Sequence, residues 1–347
     1  MVGYFCVHRN LIRHERPDGI ASSALPVRFE LFDDWASVLY WNEMAQTAAP
    51  VAGEVTAGSR QSDLAFLLQV CRPGLWTTTA LFYLMPLGHS INFSSAKFWV
   101  GLAYALIPLG FVLYGVNDIF DAEADRLNPR KGTFLFGSLG RREQLAALRW
   151  QIVALQIPFL IAFLVWIGAK IFLWFAMLLV AVLLYNAPRI GFKTRSPFDV
   201  LMQASYLLLF VLSSWVNGVP QLRWQTFVFG ALFAMHSHLF GEVMDIVPDR
   251  EAGRTTTAVR IGAVRTKLLM AVFLCVEVAL VTRYFHNRVV AGFLAAGALW
   301  FVADALWWWR NKPYSRKVMT LFMWMWNVAA VLLMVWDYMQ GTLTPSA

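Results

Sequence analysis

The chain has 347 residues, 59% of them hydrophobic and only 14% charged, with a formal net charge of +8. Water-soluble domains carry roughly a quarter charged residues, so this composition excludes an ordinary globular enzyme and indicates a membrane protein. The positive excess lies in short loops between apolar runs, which is a pattern of membrane orientation, and of service to an anionic substrate, but not of nucleic-acid binding.

Residues 1–64 are polar and mixed, with a stretch rich in Ala, Thr and Gly over 46–58. They read as a cytoplasmic extension, partly disordered because little apolar surface is available for burial. A short amphipathic surface helix is expected over 28–44. Residues 1–20 carry several charges and no apolar core, so no cleavable secretory signal is expected. Cys6, Cys71 and Cys275 are scattered, with neither metal spacing nor a disulfide framework.

Apolar segments follow at 74–92, 98–117, 150–168, 170–187, 199–218, 225–242, 267–285, 289–309 and 318–339. Each approaches the ~20 residues that cross a bilayer. The expected fold is therefore an all-α integral membrane bundle of about nine transmembrane helices over 65–340, with a short tail at 341–347. Pro86, Pro108 and Pro158 fall inside three segments, where they are tolerated as kinks. The loops after the second, fourth, sixth and eighth segments hold 18 Lys and Arg, and the alternate loops hold 5. The first set, and with it the N-terminus, is expected in the cytoplasm, leaving the C-terminus outside. Trp307, Trp308, Trp309 and Tyr314 read as an interfacial belt.

The second segment ends in Asn117-Asp118-Ile-Phe-Asp121-Ala-Glu-Ala-Asp125-Arg126, and the sixth in Glu242-Val-Met-Asp245-Ile-Val-Pro-Asp249-Arg250. Asp118, Asp121 and Asp125 align without gaps on Glu242, Asp245 and Asp249, at offsets 0, 3 and 7 in both runs. That spacing sets the carboxylates on one helical face. Both helices run toward the cytoplasm, so the acids stand at helix C-termini, where the macrodipole already disfavours negative charge. Acids at the membrane level are expensive and normally functional. Magnesium, a hard cation bound through a few carboxylates, water and substrate phosphates, suits both clusters.

Each cluster runs into basic residues. Arg126, Arg130 and Lys131 follow the first; Arg250 and Arg254 follow the second. Such cations bind phosphate and stabilise charge on a leaving group. The loop after the fourth segment carries Tyr185, Arg189, Lys193 and Asp199. Tyr185 offers an aromatic face to an allylic cation, Lys193 a phosphate contact, and Asp199 an orienting or basic carboxylate. Arg72 stands at the mouth of the first segment, and His236 and His238 read as pore-lining or packing residues.

On these residues the chain resembles the UbiA superfamily of intramembrane prenyltransferases over roughly 65–340. The family pairs Asn-Asp-x-x-Asp-x-x-x-Asp with Asp-x-x-x-Asp, here Asn117–Asp125 and Asp245–Asp249. The resemblance implies a bundle around a central cavity in which two Mg2+ ions hold a prenyl diphosphate at the cytoplasmic mouth. It further implies ionisation of the allylic C–O bond and attack by a hydrophobic acceptor. Tyr185 with Arg189 or Lys193 matches the family's Tyr/Lys loop, and Asn128-Pro-Arg-Lys-Gly132 looks like the carotenoid (lycopene) elongase branch. The metal set implied is Asp118, Asp121, Asp125, Glu242, Asp245 and Asp249. Asn117, Asp121, Tyr185, Lys193 and Asp199 are implied in catalysis. Arg72, Asn117, Arg126, Arg130, Lys131, Arg189, Lys193 and Arg250 are implied in substrate binding. A terpene cyclase on the same scaffold, and a membrane transporter, are the alternatives.

Overall fold

A computed structural model describes residues 62–188 and 191–340. Residues 1–61, with nearly all of the expected extension and its surface helix, lie outside the described residues, as do Arg189 and the tail 341–347. The regular structure of the described residues is helical, apart from one isolated bridge between Thr133 and Gly137.

All nine apolar segments fold as helix, though not all to the same length. Among the described residues, seven helices are long and apolar enough to span a bilayer: α3 (Ala96–Phe120), α4 (Arg142–Ile167), α6 (Phe198–Asn217), α7 (Trp224–Glu251), α8 (Ala263–Phe285), α9 (Arg288–Leu306) and α10 (Arg316–Gln340). The fourth segment, α5 (Lys170–Asn186), has 17 residues, about 25 Å at 1.5 Å per residue. The first is broken. After α1 (Asp63–Val70), α2 covers only Trp76–Leu84, and a separate 3₁₀ turn forms at Gly88–Ser90. Pro86 lies between them: it supplies no N–H and its ring clashes with the preceding turn. Pro108 acts similarly in α3, where Ile107 is displaced to φ −112°, ψ −70° and the helix resumes through a widened turn at Phe111–Gly115. Pro158 leaves α4 continuous.

In lipid every backbone and polar group needs an internal partner, and the helix contacts are organised accordingly. Tyr83 on α2 donates its hydroxyl to the Phe98 carbonyl at 3.1 Å, while Asn217 donates to the same hydroxyl at 2.9 Å. Gly101 makes room for that ring, because a Cβ there would lie 2.2 Å from the Tyr83 oxygen. At the α2–α10 seam, Asn327 donates to the Gly74 carbonyl at 2.9 Å and accepts from Thr77 at 2.6 Å, and the Trp326 indole donates to Thr78 at 3.0 Å. Large apolar side chains such as Val165, Leu299 and Leu332 are exposed on the outer faces, where a bilayer covers them. Among the described residues, α2, α3, α5, α6, α7 and α10 surround a cavity of ≈ 310 Å³ to which α4, α8 and α9 contribute no lining residue.

Candidate active site

One end of the cavity is apolar and aromatic, with Phe82, Tyr114, Tyr206, Phe240 and Trp326 in its wall. The other end holds five carboxylates (Asp121, Asp125, Glu242, Asp245, Asp249) and five basic side chains (Arg72, Arg130, Lys131, Lys193, Arg254). Opposite charges alternate there. Asp121 Oδ1 receives Lys193 at 2.5 Å and Arg254 at 2.7 Å, and Asn117 donates to its other oxygen at 2.9 Å. Lys131 bridges Asp118 at 3.0 Å and Asp125 at 2.7 Å. Asp245 pairs with Arg130 and accepts from Asn128 at 2.8 Å. Asp249 receives Arg254 at 3.3 Å. The two acidic runs therefore meet: Arg254 ties the first cluster to the second, and the Asn128–Lys131 turn lies across both.

The environment is strongly perturbing. Burial raises the Asp125 carboxyl above the usual carboxylate range although Lys131 pulls it down. Burial lowers the Lys193 ammonium, with Asp121 opposing. Burial also works against the Arg254 charge, but Asp121 and Asp249 outweigh it and raise that group. Arg72 sits at φ 48°, a left-handed conformation uncommon for a side chain with Cβ. It is held there by Asp118 at 2.9 Å, with its guanidinium 4.6 Å from the Tyr114 ring centre. Strain of this kind concentrates at functional sites.

Several expected residues do not reach the cavity. Asp118 is buried behind the wall, held by Arg72, Lys131 and the Ser138 hydroxyl at 2.6 Å. Arg126 and Arg250 are exposed and do not line the cavity. Each follows an inward-facing Asp by one residue, and neighbours in a helix do not share a face. Asp199 is fully buried and bonds Thr257 instead of facing the cavity. Glu242 lines it, but takes the Ala258 N–H at 2.9 Å and lies 3.0 Å from His238. His238 lines the cavity with Tyr185, their rings 6.3 Å apart, whereas His236 turns to Glu277 at 2.7 Å. Asn186, Tyr114 and Tyr206 join the site without having been singled out in the sequence. Asn186 accepts from Asn117 at 3.1 Å, and the two tyrosine hydroxyls are 3.1 Å apart.

For magnesium, the relevant observation is the donor set. It consists of hard carboxylate oxygens, with nitrogen represented only by His238, and this fits an oxygen-seeking cation. Among the described residues no three His, Cys, Asp or Glu side chains already converge on one point, because lysine and arginine stand between the acids.

A helical bundle crossing the bilayer several times around such a cavity defines a multi-pass integral membrane protein. The chain matches the UbiA prenyltransferase family over residues 74–328 and belongs to that family; it is a prenyltransferase. A lycopene elongase/hydratase from Corynebacterium glutamicum is 28% identical to it over 270 residues, covering 75% of this chain and 91% of the relative. One from Halobacterium salinarum is 33% identical over 206 residues, covering 58% and 72%. The structure of a UbiA homolog from Archaeoglobus fulgidus bound to GPP and Mg2+ superposes with a TM-score of 0.59 at 20% identity, over 80% of this chain and 98% of that one. At that identity the likeness concerns the fold.

Proposed function

We propose that this prenyltransferase takes a prenyl group from a prenyl diphosphate, with magnesium, and passes it to a long hydrophobic acceptor of the carotenoid class. The observation that carries the reading is the alternation of five carboxylates with five cations in the wall of a cavity otherwise lined by aromatic, aliphatic and uncharged polar side chains. Asp121, Asp125, Asp245 and Asp249 front that end and would hold the metal. Asp118, behind them, fixes Arg72 and Lys131. Bound magnesium supplies charge neutralisation at the departing diphosphate. Arg130, Lys131, Lys193 and Arg254 are placed to bind phosphate oxygens. Tyr185, Tyr114 and Trp326 present aromatic faces to the cationic carbon and exclude water from it. As the allylic C–O bond breaks, the diphosphate keeps the electron pair, the acceptor's double bond forms the new C–C bond, and the cation this leaves on the acceptor is discharged by loss of a proton to the diphosphate or to water. The acceptor class rests on the relatives, which are named lycopene elongase/hydratase.

The test is pyrophosphate release by the purified protein in lipid nanodiscs, with prenyl diphosphates of several lengths, with and without magnesium, and with a linear carotenoid or an aromatic quinone precursor. Magnesium-dependent release with a product heavier than the carotenoid by the prenyl group is expected. Asp121→Asn or Asp245→Asn should abolish turnover while leaving insertion and purification unchanged. Wild-type rates in either variant would remove the metal-clamp argument.

A further inference from the structure

The loop after α5 and the loop after α7 each deliver one cation, and both cations stop on the same oxygen of Asp121, at 2.5 Å for Lys193 and 2.7 Å for Arg254. The two loops are cross-braced. Thr255 donates its hydroxyl to the Thr194 carbonyl at 2.7 Å. Thr257 donates its backbone N–H to Asp199 Oδ2 and its hydroxyl to Asp199 Oδ1 at 2.7 Å, and that hydroxyl lies 2.9 Å from Ser196 Oγ. Arg260 reaches the Ser196 carbonyl at 3.2 Å. Glu242 takes the next amide, that of Ala258. Asp199 is 0% exposed and stands outside the cavity wall. A carboxylate in that position is retained at a desolvation cost that only its hydrogen bonds offset; besides the Val200 amide and the Glu242 carboxyl on α7, those bonds go to Thr257 of the neighbouring loop.

We propose that Asp199 and Thr257 are positioning residues that couple the Lys193 loop to the Arg254 loop, so that the two cations meet the diphosphate as one pre-set pair. This rests on the diphosphate reading above. Separate loops would each have to be ordered during binding; bracing them beforehand removes that entropy from the binding step. The placement also explains a fully buried acid that does not itself line the cavity.

The test titrates inorganic pyrophosphate with magnesium into the full chain in nanodiscs by calorimetry. Arg254→Ala is expected to weaken binding at least tenfold, the scale of one charge-assisted hydrogen bond. Thr257→Val keeps the side-chain volume and loses the hydroxyl, and should weaken binding about tenfold; Thr257→Ser should restore it. In an Arg254→Ala background the Thr257→Val effect should shrink to about twofold, because the two act through one contact. A purely structural Thr257 would instead give independent, multiplying losses, and that result overturns the coupling, as does wild-type binding by Thr257→Val. Thr255→Val, which removes only the Thr194 contact, carries the same expectation and serves if Thr257→Val does not fold. Wild-type protein that binds no pyrophosphate overturns the diphosphate reading and the coupling together. Binding that is lost in Arg254→Ala but intact in Thr257→Val and Thr255→Val overturns the coupling alone.

Discussion

Arg250 and Arg254 lie one helical turn apart in sequence, yet only the second reaches the cavity. The reason is how α7 ends. Gly253 takes φ 72°, its N–H bonds the Arg250 carbonyl at 3.1 Å, and the Arg254 N–H returns to the Asp249 carbonyl at 2.8 Å. This is a Schellman closure, in which the residue after the left-handed glycine folds back onto the last turn. Arg254 is thus carried to the face of Asp249, while Arg250 stays a quarter-turn away in solvent. Replacing Arg254 by Ala should raise the KM for the prenyl diphosphate about 10- to 100-fold. Arg250→Ala should change it less than about twofold, as for other exposed charges. Steady-state kinetics on the two variants decides, and equal effects would contradict the assignment. The acidic spacing was legible in the sequence because repeats of three and four residues define a helix face. Arg254 was legible only through Gly253 read as a helix stop. Tyr114, Tyr206 and Asn186 come from three separate helices and leave no local pattern. A second residue-scale expectation concerns Cys71, whose buried thiol is pushed up to about 12. A raised thiol pKa means less thiolate at any given pH, about one in ten thousand at pH 8, and thiolate is the reactive form. With Cys6 and Cys275 replaced, the folded protein should resist maleimide for hours at pH 8 and react once denatured. Rapid labelling would mean that the junction between α1 and α2 is not packed as described.

Among the elements, hydropathy located nine apolar segments that all fold as helix but not the short α1, and its failures are physical ones. It did not register that Pro86 would interrupt the first segment, because proline scarcely alters a window average while it deletes a hydrogen bond. Nor could it show how α2, shortened to Trp76–Leu84, is held. Asn327 is the answer: it is buried on α10, donates to the carbonyls of Gly74 and Met323, and accepts from Thr77. Asn327→Leu would strand the Gly74 carbonyl and the Thr77 hydroxyl in an apolar seam, at a cost of about 1–3 kcal/mol. Thermal unfolding in detergent should show the loss. The double variant Thr77→Val with Asn327→Leu should recover part of it, since removing both partners costs less than orphaning one. No recovery would indicate that the seam is held by packing around Asn327 and not by its hydrogen bonds.

At the scale of the whole molecule, the loop charges serve two purposes that have to be separated. Arg130, Lys131, Lys193 and Arg254 belong to the site, and Lys267 is buried against Asp304 at 3.0 Å. None of these five is free to act only as a topology signal. Setting them aside still leaves 13 basic residues on the side of the mouth against 5 on the other, so the asymmetry does not arise from the active site, and the positive-inside rule retains its force. We therefore expect the charged mouth to face the cytoplasm. Lys312, after α9, and Arg288, at the start of α9, are both exposed and lie at opposite ends of the bundle. In a background lacking the native cysteines, Lys312→Cys should react with a membrane-impermeant maleimide in inverted vesicles and not in intact cells, and Arg288→Cys should show the reverse. The opposite pattern would put the mouth on the outer face, where the site's own cations, and not the loop excess, would have to account for its orientation.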